Sequence, residues 1–226
     1  MGVKANRRHI KRLASSKYMG ISKKSSSYVA KPLPGRHTKE SSIALKTILT
    51  EKLKLLSSSR EAENVIKEKN ITVNHKIITK PLYPVGFGDI IHIEKLNESF
   101  LVGRDKNGKI TLEKHKEGKQ LFKITGKYIA KGKKQMLRLH DGSIINPENI
   151  KDANVNDSVD IKDGKISSII KLEEGGKCLV IKGTHASETG IIRKIIKGTE
   201  TRSSLVSVSS GKENFETTLE NIMAIN

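Results

Sequence analysis

The sequence predicts a multi-domain α+β protein, in which a basic N-terminal extension (1–40) precedes three small folded parts at 41–95, 96–172 and 173–226. Apolar residues first recur at helical spacing, and further along the chain they alternate in short runs between turn residues. Aromatic residues make up only 4% of the chain and tryptophan is absent, which favours several small cores over one large core. We therefore expect two helices and a hairpin in the second part and mainly β structure in the third and fourth.

The strongest feature of the composition is its positive charge. The 226 residues carry a formal net charge of +19, and the isoelectric point is near 9.9. Solubility does not require so much charge, so it predicts a polyanionic partner, with nucleic acid favoured over an anionic membrane surface. No apolar run approaches the length of a membrane span, and the N-terminus lacks the apolar core of a signal peptide.

Cysteine and histidine usage predicts neither a metal nor a catalytic site. Cys178 is the single cysteine and lies in the apolar run 178–181, so we expect a buried, reduced thiol in a cytoplasmic protein, with a catalytic or regulatory thiol as the alternative. The seven histidines are dispersed without ligand spacing, and the sequence contains no P-loop and no G-x-G-x-x-G motif. We therefore expect no enzymatic activity, no cofactor, no metal and no small-molecule substrate.

The extension, residues 1–40, is almost purely cationic. Its eleven Lys and Arg residues are opposed only by Glu40, and its apolar residues are few. Such a segment buries too little surface to offset its ordering entropy, so alone it is predicted to be largely disordered. On RNA it is expected to fold, with one or two helical turns over residues 6–14. The alternatives are a solvated tail that aids solubility and a nuclear-localisation signal.

The second part carries the clearest local signals. Apolar residues at roughly helical spacing between 43 and 53 predict a first helix. Ser58 and Glu61 have the spacing of a capping box, which predicts the start of a second helix that ends near Asn70. Alternating residues on either side of Asn74-His75 then predict a β-hairpin.

This part resembles the small RNA-binding module named after ribosomal protein four of the small subunit. The resemblance rests on the run Ser59 to Ala62, on the hairpin Val73 to Ile77, and on the run Pro84 to Ile91, where a glycine turn and Asp89 lead into a strand. It implies that two helices and a hairpin present a basic face to structured RNA. The alternative is a small α+β unit with a basic surface and no such partner.

The third part predicts a small β domain because turn residues separate its short alternating runs. Strands are expected over 99–102, 109–112, 136–139 and 158–161. His140 and Asp141 are adjacent in sequence, and we interpret them as part of an Asp-Gly turn. A proton-transfer pair is the alternative, but neighbouring residues of a strand point to opposite faces.

The fourth part predicts a strand that ends at Gly183, a polar loop to Gly190 and a second strand over 191–196. This pattern resembles the KOW motif, a strand-loop-strand element of small SH3-like barrels in ribosomal and transcription-associated proteins. Glycines suit a loop that turns sharply and lets its backbone approach a partner. Ser187 stands where the motif often has another glycine, which implies a stiffer or differently shaped loop tip. A generic β-hairpin is the alternative.

The order of these parts resembles small-subunit ribosomal protein four of the "e" type, from archaea and eukaryotes, over essentially the whole chain. Local matches are the run 6–14, the turn Pro34 to His37, the run 84–86 and the turn Leu139 to Gly142. The length is closer to that of archaeal members. The resemblance implies a structural, non-catalytic constituent of the cytoplasmic small ribosomal subunit that binds its ribosomal RNA, helps it to fold and lies beside other ribosomal proteins.

Candidate contact residues are mainly cationic, because A-form RNA is recognised largely through its backbone and shape. In the extension they are Lys4, Arg7, Arg8, Lys11, Arg12, Lys17, Lys23, Lys24 and Arg36. In the folded parts they are Arg60, Lys76, Lys80, Lys182, Thr184, His185 and Arg193.

Two other functional classes remain open on the sequence. One is a non-integral transcription or translation factor that uses the KOW barrel. The other is an RNA-modifying enzyme to which the second part is an appendage, although no catalytic motif accompanies it.

Overall fold

A computed structural model of the chain describes residues 10–115, 120–146, 153–162, 165–211 and 213–225. These residues are mostly β structure, arranged in several small sheets with few helices. The chain divides into two compact units. Unit 1 runs to Gly103 and includes Lys109–Lys116, and unit 2 comprises Arg104–Gly108 and Glu117–Asn226.

The described residues of the extension are folded onto unit 1. Strand β1 (Ile10–Lys11) pairs with β2 (Tyr28–Val29), and two 3-10 turns, Arg12–Ala14 and Lys17–Met19, lie between them. Of the helical turns expected over 6–14, the structure has one, the 3-10 turn at Arg12–Ala14, whereas Ile10–Lys11 is a strand. Residues 10–40 do not have the disorder predicted for an isolated tail. Met19, which is 1% exposed, lies in the main core of unit 1. Its burial stabilises the extension, and the sequence pattern did not predict it.

The predicted first helix starts later and is irregular. Strand β3 (Ser42–Ala44) pairs with β6 (Pro84–Gly86), α1 (Leu45–Thr47) follows, and a π-helical turn (Ile48–Lys52) continues it. Three of the apolar residues that suggested the helix, Leu45, Ile48 and Leu49, do face the core. Ile43 is buried as well, but as a strand residue.

Helix α2 (Ser59–Lys67) begins where the capping signal predicts. The hydroxyl of Ser58 accepts a hydrogen bond from the amide of Arg60, an N-cap that contributes about 1 kcal/mol. The carboxylate of Glu61 accepts from the amide of Ser57, one residue earlier than a standard capping box. Ala62 and Ile66 turn the apolar face of the helix into the core.

The predicted hairpin belongs to a five-stranded antiparallel sheet of order β5-β4-β7-β8-β9. Its strands are β4 (Ile71–Val73), β5 (Lys76–Ile77), β7 (Ile90–Ile93), β8 (Glu98–Arg104) and β9 (Ile110–Lys114). The φ angles of Asn74 and His75 are both positive, 49° and 60°, as a two-residue hairpin turn requires. Because β7 pairs directly with β8, the sheet of this module continues past residue 95, where the sequence predicts a boundary.

The first sheet of unit 2 has the order β12-β11-β10-β13-β14 and is antiparallel throughout. Its strands are β10 (Gln120–Ile129), β11 (Gln135–Leu139), β12 (Ile144–Ile145), β13 (Ser158–Lys162) and β14 (Lys165–Ile170). Phe122, Ile124, Leu137 and Val159 form the centre of its core. The His140–Gly142 segment is a turn, as predicted, and Asp141 accepts hydrogen bonds there from the amide and hydroxyl of Ser143.

The second sheet of unit 2 has the order β18-β17-β16-β15-β19. Its strands are β15 (Lys177–Val180), β16 (Thr189–Ile196), β17 (Leu205–Ser210), β18 (Glu213–Thr218) and β19 (Ile222–Ala224). Cys178 is fully buried in the core of this sheet, as the sequence predicts, and burial raises the pKa of its thiol despite a backbone hydrogen bond from Gly190.

Candidate nucleic-acid interface

Arg12 was predicted to bind phosphate, but the fold of unit 1 uses its charge internally. The side chain is 4% exposed, and its guanidinium forms a two-pronged ion pair with Glu51 at distances of 2.7 and 2.8 Å. The hydrogen bond to Glu51 raises the pKa of Arg12 against the opposing effect of burial. The remaining donors reach the hydroxyl of Ser26 and the carbonyl of Ser22. The predicted role of Arg12 as a phosphate ligand is therefore corrected: its guanidinium has a structural role in unit 1.

The fold also uses the charge of Lys23 internally. Its ammonium donates to the carbonyl of Ser15 at 2.8 Å, to the hydroxyl of Ser15 at 2.8 Å and to the carbonyl of Arg12 at 3.2 Å. An ammonium has three donors, and the chain itself occupies all of them. Lys23 therefore fixes the 12–15 turn in place.

An open groove of about 540 Å³ lies beside these two residues. Its lining is polar and cationic, with an exposed leucine and tyrosine. It comprises Lys11, Arg12, Leu13, Lys23, Lys24, Ser25, Ser26, Ser27 and Tyr28. Lys11 and Lys24 are exposed, so these two residues can offer their charge to an anion in the groove.

The other candidates of the extension divide by position. Lys17 is exposed on a 3-10 turn, and Arg36 is half-buried in the turn that precedes His37. Lys4, Arg7 and Arg8 lie outside the described residues.

A buried polar network ties the extension to the hairpin of unit 1. Asp89 is 1% exposed, and its Oδ2 accepts from Nε2 of His37 at 2.8 Å and from the amide of Gly86 at 2.9 Å. The amide group of Asn74 donates to the other carboxylate oxygen at 2.6 Å. Burial raises the pKa of Asp89, but His37 and the two other donors outweigh it and lower the pKa below its ordinary value.

This network holds together two sequence motifs that are far apart in the chain, the Pro34–His37 turn and the Pro84–Ile91 run. The sequence located both motifs but not their contact, because 52 residues separate His37 from Asp89. The only local signal was an aspartate directly before an apolar strand. Asn74 also accepts a hydrogen bond from the amide of Ile90, so the network fixes the hairpin turn on which the next candidates lie.

The three candidates of the hairpin module are all exposed. Arg60 lies in the first turn of α2, Lys76 directly follows the hairpin turn in β5, and Lys80 lies in the loop before β6. Lys46 of the same module is paired with Glu63 at 2.8 Å, so its charge is neutralised locally. The three candidates are therefore more exposed than Lys46, whose charge has a structural partner.

The predicted KOW loop between β15 and β16 has a defined shape. Gly183 has a φ of +101° and Ser187 a φ of +72°, both in the left-handed region that favours glycine. Ser187, the predicted departure from the motif, thus adopts a backbone conformation typical of the missing glycine. A side chain at Gly190 would overlap Val208 and the carbonyl of Ser209, so this glycine permits close packing against β17.

The candidates on this loop differ in their surroundings. Lys182 and Thr184 are exposed. His185 is half-buried, because its ring stacks on Phe215 with centroids 3.9 Å apart, and its Nδ1 lies 3.3 Å from the carboxylate of Glu188. Arg193 is exposed in β16 and donates to the hydroxyl of Ser209 at 3.3 Å.

Lys123 is a notable cation that the sequence did not single out. It is 3% exposed in β10, and its ammonium donates to the carbonyls of Leu219 at 2.6 Å and Glu220 at 3.2 Å. Burial lowers its pKa to about 8, with Glu220 opposing that effect and Lys182 adding to it. Lys123 thereby joins the first sheet of unit 2 to the 3-10 turn that precedes β19 of the second sheet.

Two family models match the chain. The S4 domain model matches residues 45–91, and the model of ribosomal family S4e matches residues 96–166. A small ribosomal subunit protein eS4 from Archaeoglobus fulgidus is 34% identical over 222 residues, which cover 96% of this chain and 92% of that protein. The chain belongs to the S4e family of ribosomal proteins. The family resemblance seen in the sequence is therefore confirmed.

Other S4e proteins agree with this assignment. A small ribosomal subunit protein eS4 from Methanococcus vannielii is 36% identical over 143 residues, which cover 63% of this chain but only 59% of that relative. The crystal structure of the 30S ribosomal protein S4e from Thermoplasma acidophilum matches with a TM-score of 0.69 at 31% identity, covering 82% of this S4e chain and 95% of that one.

Among the described residues, no helix is long and apolar enough to cross a membrane. The same part of this S4e chain contains no group of three or more His, Cys, Asp or Glu side chains that could hold a metal ion.

Proposed function

We propose that the chain is a structural constituent of the small ribosomal subunit that binds and stabilises small-subunit ribosomal RNA and thereby supports translation. The observation that carries this proposal is the match over nearly the whole length to a protein named as a small ribosomal subunit protein. The net charge of +19 supports it, because such a charge suits a polyphosphate partner. The protein then acts without catalysis in the cytoplasmic ribosome, beside other small-subunit proteins.

Four parts carry this function: the basic extension (1–40), an S4-type module (41–95) whose sheet continues through β8 and β9, a central β domain within 96–172, and a KOW barrel of SH3-like type (173–226). The S4 model match supports the second part. Support for the last part comes from a five-stranded antiparallel sheet, whose β15–β16 loop has left-handed backbone at Gly183 and Ser187.

The RNA contacts come from the candidates that are exposed in the fold, together with the half-buried Arg36. They are Lys11, Lys17, Lys24, Arg36, Arg60, Lys76, Lys80, Lys182, Thr184 and Arg193. Lys4, Arg7 and Arg8 are retained from the sequence. Arg12 and Lys23 are structural, since the chain occupies their donors, and His185 shapes the KOW loop through Phe215.

Binding through these residues is mainly a phosphate interaction. Lys and Arg side chains displace condensed counterions from RNA, so the logarithm of the binding constant falls linearly with the logarithm of the salt concentration, by roughly 0.7 to 0.9 per phosphate contacted. The low aromatic content agrees with this mode, because stacking on many unpaired bases would need more aromatic side chains.

The test measures binding of the full-length chain to purified small-subunit ribosomal RNA over a salt series. Replacing Lys11, Lys17 and Lys24 by Gln is expected to reduce the salt slope by about 2, because up to three phosphate contacts are lost. A control variant replaces Lys106, Lys171 and Lys177 by Gln, which removes the same charge at exposed positions outside the candidate set. A wild-type chain that binds without salt dependence would contradict the proposed function. Equal slopes for the two variants would remove Lys11, Lys17 and Lys24 from the interface.

A further inference from the structure

Strands β10 and β11 form a hairpin whose outer half extends beyond the rest of its sheet. Strand β13 pairs only with Gln120–Lys123 of β10, and β12 pairs only with Leu137 and Arg138 of β11. Within the described residues, Tyr128–Ile129 and Gln135–Met136 pair only with each other. We call residues 125–139 the β10–β11 arm.

The arm carries a one-sided charge. Its five cations are Lys127, Lys131, Lys133, Lys134 and Arg138, and it contains no Asp or Glu. All five are exposed, and none forms an ion pair with a described residue. Elsewhere in the described part of the chain two exposed lysines do have acidic partners: Lys95 has Glu68 and Lys114 has Glu98. The arm therefore concentrates positive charge that the described residues do not neutralise.

The backbone sets the direction of the arm. The β10–β11 register shifts between Ile124 and Gly126, and the hydroxyl of Thr125 donates to the carbonyls of Arg138 and Leu139 at the shift. Such a bulge increases strand twist and redirects the strands beyond it. The turn at the tip is tight, since Gly132 and Lys133 have φ of +81° and +58° and the amide of Ala130 bonds the carbonyl of Lys134 at 2.8 Å. The three lysines of the tip are thus presented together on a short loop.

The tip also exposes an apolar side chain. Ile129 is 71% exposed, next to the lysines, in a position where the core of unit 2 does not cover it. The minor groove of A-form RNA is wide and shallow and displays ribose hydroxyls between its phosphates, so a two-stranded ribbon can lie along it with its cations near the phosphates and an apolar side chain against ribose.

We propose that the β10–β11 arm is a separate RNA-binding element, which grips the phosphate backbone of a ribosomal RNA helix through Lys127, Lys131, Lys133, Lys134 and Arg138 and packs Ile129 against ribose. This inference rests on the proposed function, since it takes the same class of ligand. It adds a contact site that is distinct in sequence and in sheet position from the extension, the hairpin module and the KOW loop. RNA is the partner that the charge favours, because five cations without an acid complement a polyphosphate.

The experiment uses the full-length chain and small-subunit ribosomal RNA. Replacing Lys131, Lys133 and Lys134 by Gln is expected to reduce the salt slope of binding by about 2, whereas the control that changes Lys106, Lys171 and Lys177 retains the wild-type slope. Ile129→Gln is expected to weaken binding several-fold without changing the slope, because it removes an uncharged contact. Circular dichroism checks that each variant is folded.

The outcomes distinguish the two proposals. A wild-type chain with no salt-dependent binding overturns the proposed function and the arm with it. Wild-type binding with a steep slope, combined with a tip variant that behaves like the control, overturns the arm alone. Hydroxyl-radical footprinting of the RNA gives a second reading: the tip variant is expected to lose protection at one discrete helix, and an unchanged footprint contradicts the proposal.

Discussion

Single residues decide how tightly the extension is attached to the hairpin of unit 1. Gly86 illustrates this, because a β-carbon at this position would overlap the imidazole ring of His37, which donates to the buried Asp89. The sequence marked the run 84–91 as informative but gave no physical reason for its glycine. The reason depends on a residue nearly fifty positions earlier, which only the folded chain brings into contact.

Replacing Gly86 by Ala is expected to destabilise the protein by about 2 kcal/mol, since the added methyl group forces His37 away and leaves Asp89 under-bonded in the core. Urea denaturation measures the loss. Gly126→Ala is the matched control, because nothing lies within 4 Å of its added methyl group. Equal stabilities of the two variants would contradict the role assigned to His37.

Ser187 supports a prediction of the opposite sign. Its φ of +72° is unfavourable for a residue with a β-carbon, so Ser187→Gly is expected to raise the free energy of unfolding by about 0.5 to 1 kcal/mol, after allowance for the greater freedom of glycine in the unfolded chain. Gly183→Val, at a φ of +101°, is expected to lower it. Thermal denaturation of both variants tests this, and a destabilised Ser187→Gly protein would refute the strain argument.

At the scale of secondary-structure elements, the sequence correctly predicted the elements that are stabilised by local interactions. Helix α2, the Asn74–His75 turn and the His140–Gly142 turn lie where the sequence places them. The start of the first helix and the order of the extension were not predicted, because they depend on pairing with β6 and on the burial of Met19. Strand β10 was not predicted, since a lysine at its centre breaks the apolar pattern and finds its partners almost a hundred residues later.

That lysine, Lys123, predicts a pH dependence. Its pKa is lowered from 10.5 to about 8 in the folded protein, so between these values the unfolded chain binds more protons than the folded chain. Stability from this group therefore rises with pH across that window, by about 2 kcal/mol between pH 8 and pH 10.

Comparison with Lys123→Met isolates this effect from other titrations. The stability of the wild type relative to the variant is expected to increase by that amount over the window, as measured by urea denaturation at several pH values. A constant difference between the two proteins would show that Lys123 titrates normally.

At the scale of the whole molecule, the net charge and the family resemblance both indicated an RNA partner from the sequence alone. The sequence motifs and the +19 charge identified the family, and the relatives confirm it. Which cations remain accessible could not be read from sequence, because Arg12 and Lys24 look alike there while one is buried against Glu51 and the other is exposed. Burial and hydrogen bonding therefore decide which cations can contact RNA.

The central claim, that this chain is an integral protein of the small ribosomal subunit, is tested most directly by gradient sedimentation of a native lysate. The chain is quantified in the small-subunit fractions before and after a high-salt wash. We predict one copy per small subunit, retained through the wash. A substoichiometric chain that leaves with salt would contradict the claim and indicate an exchanging factor.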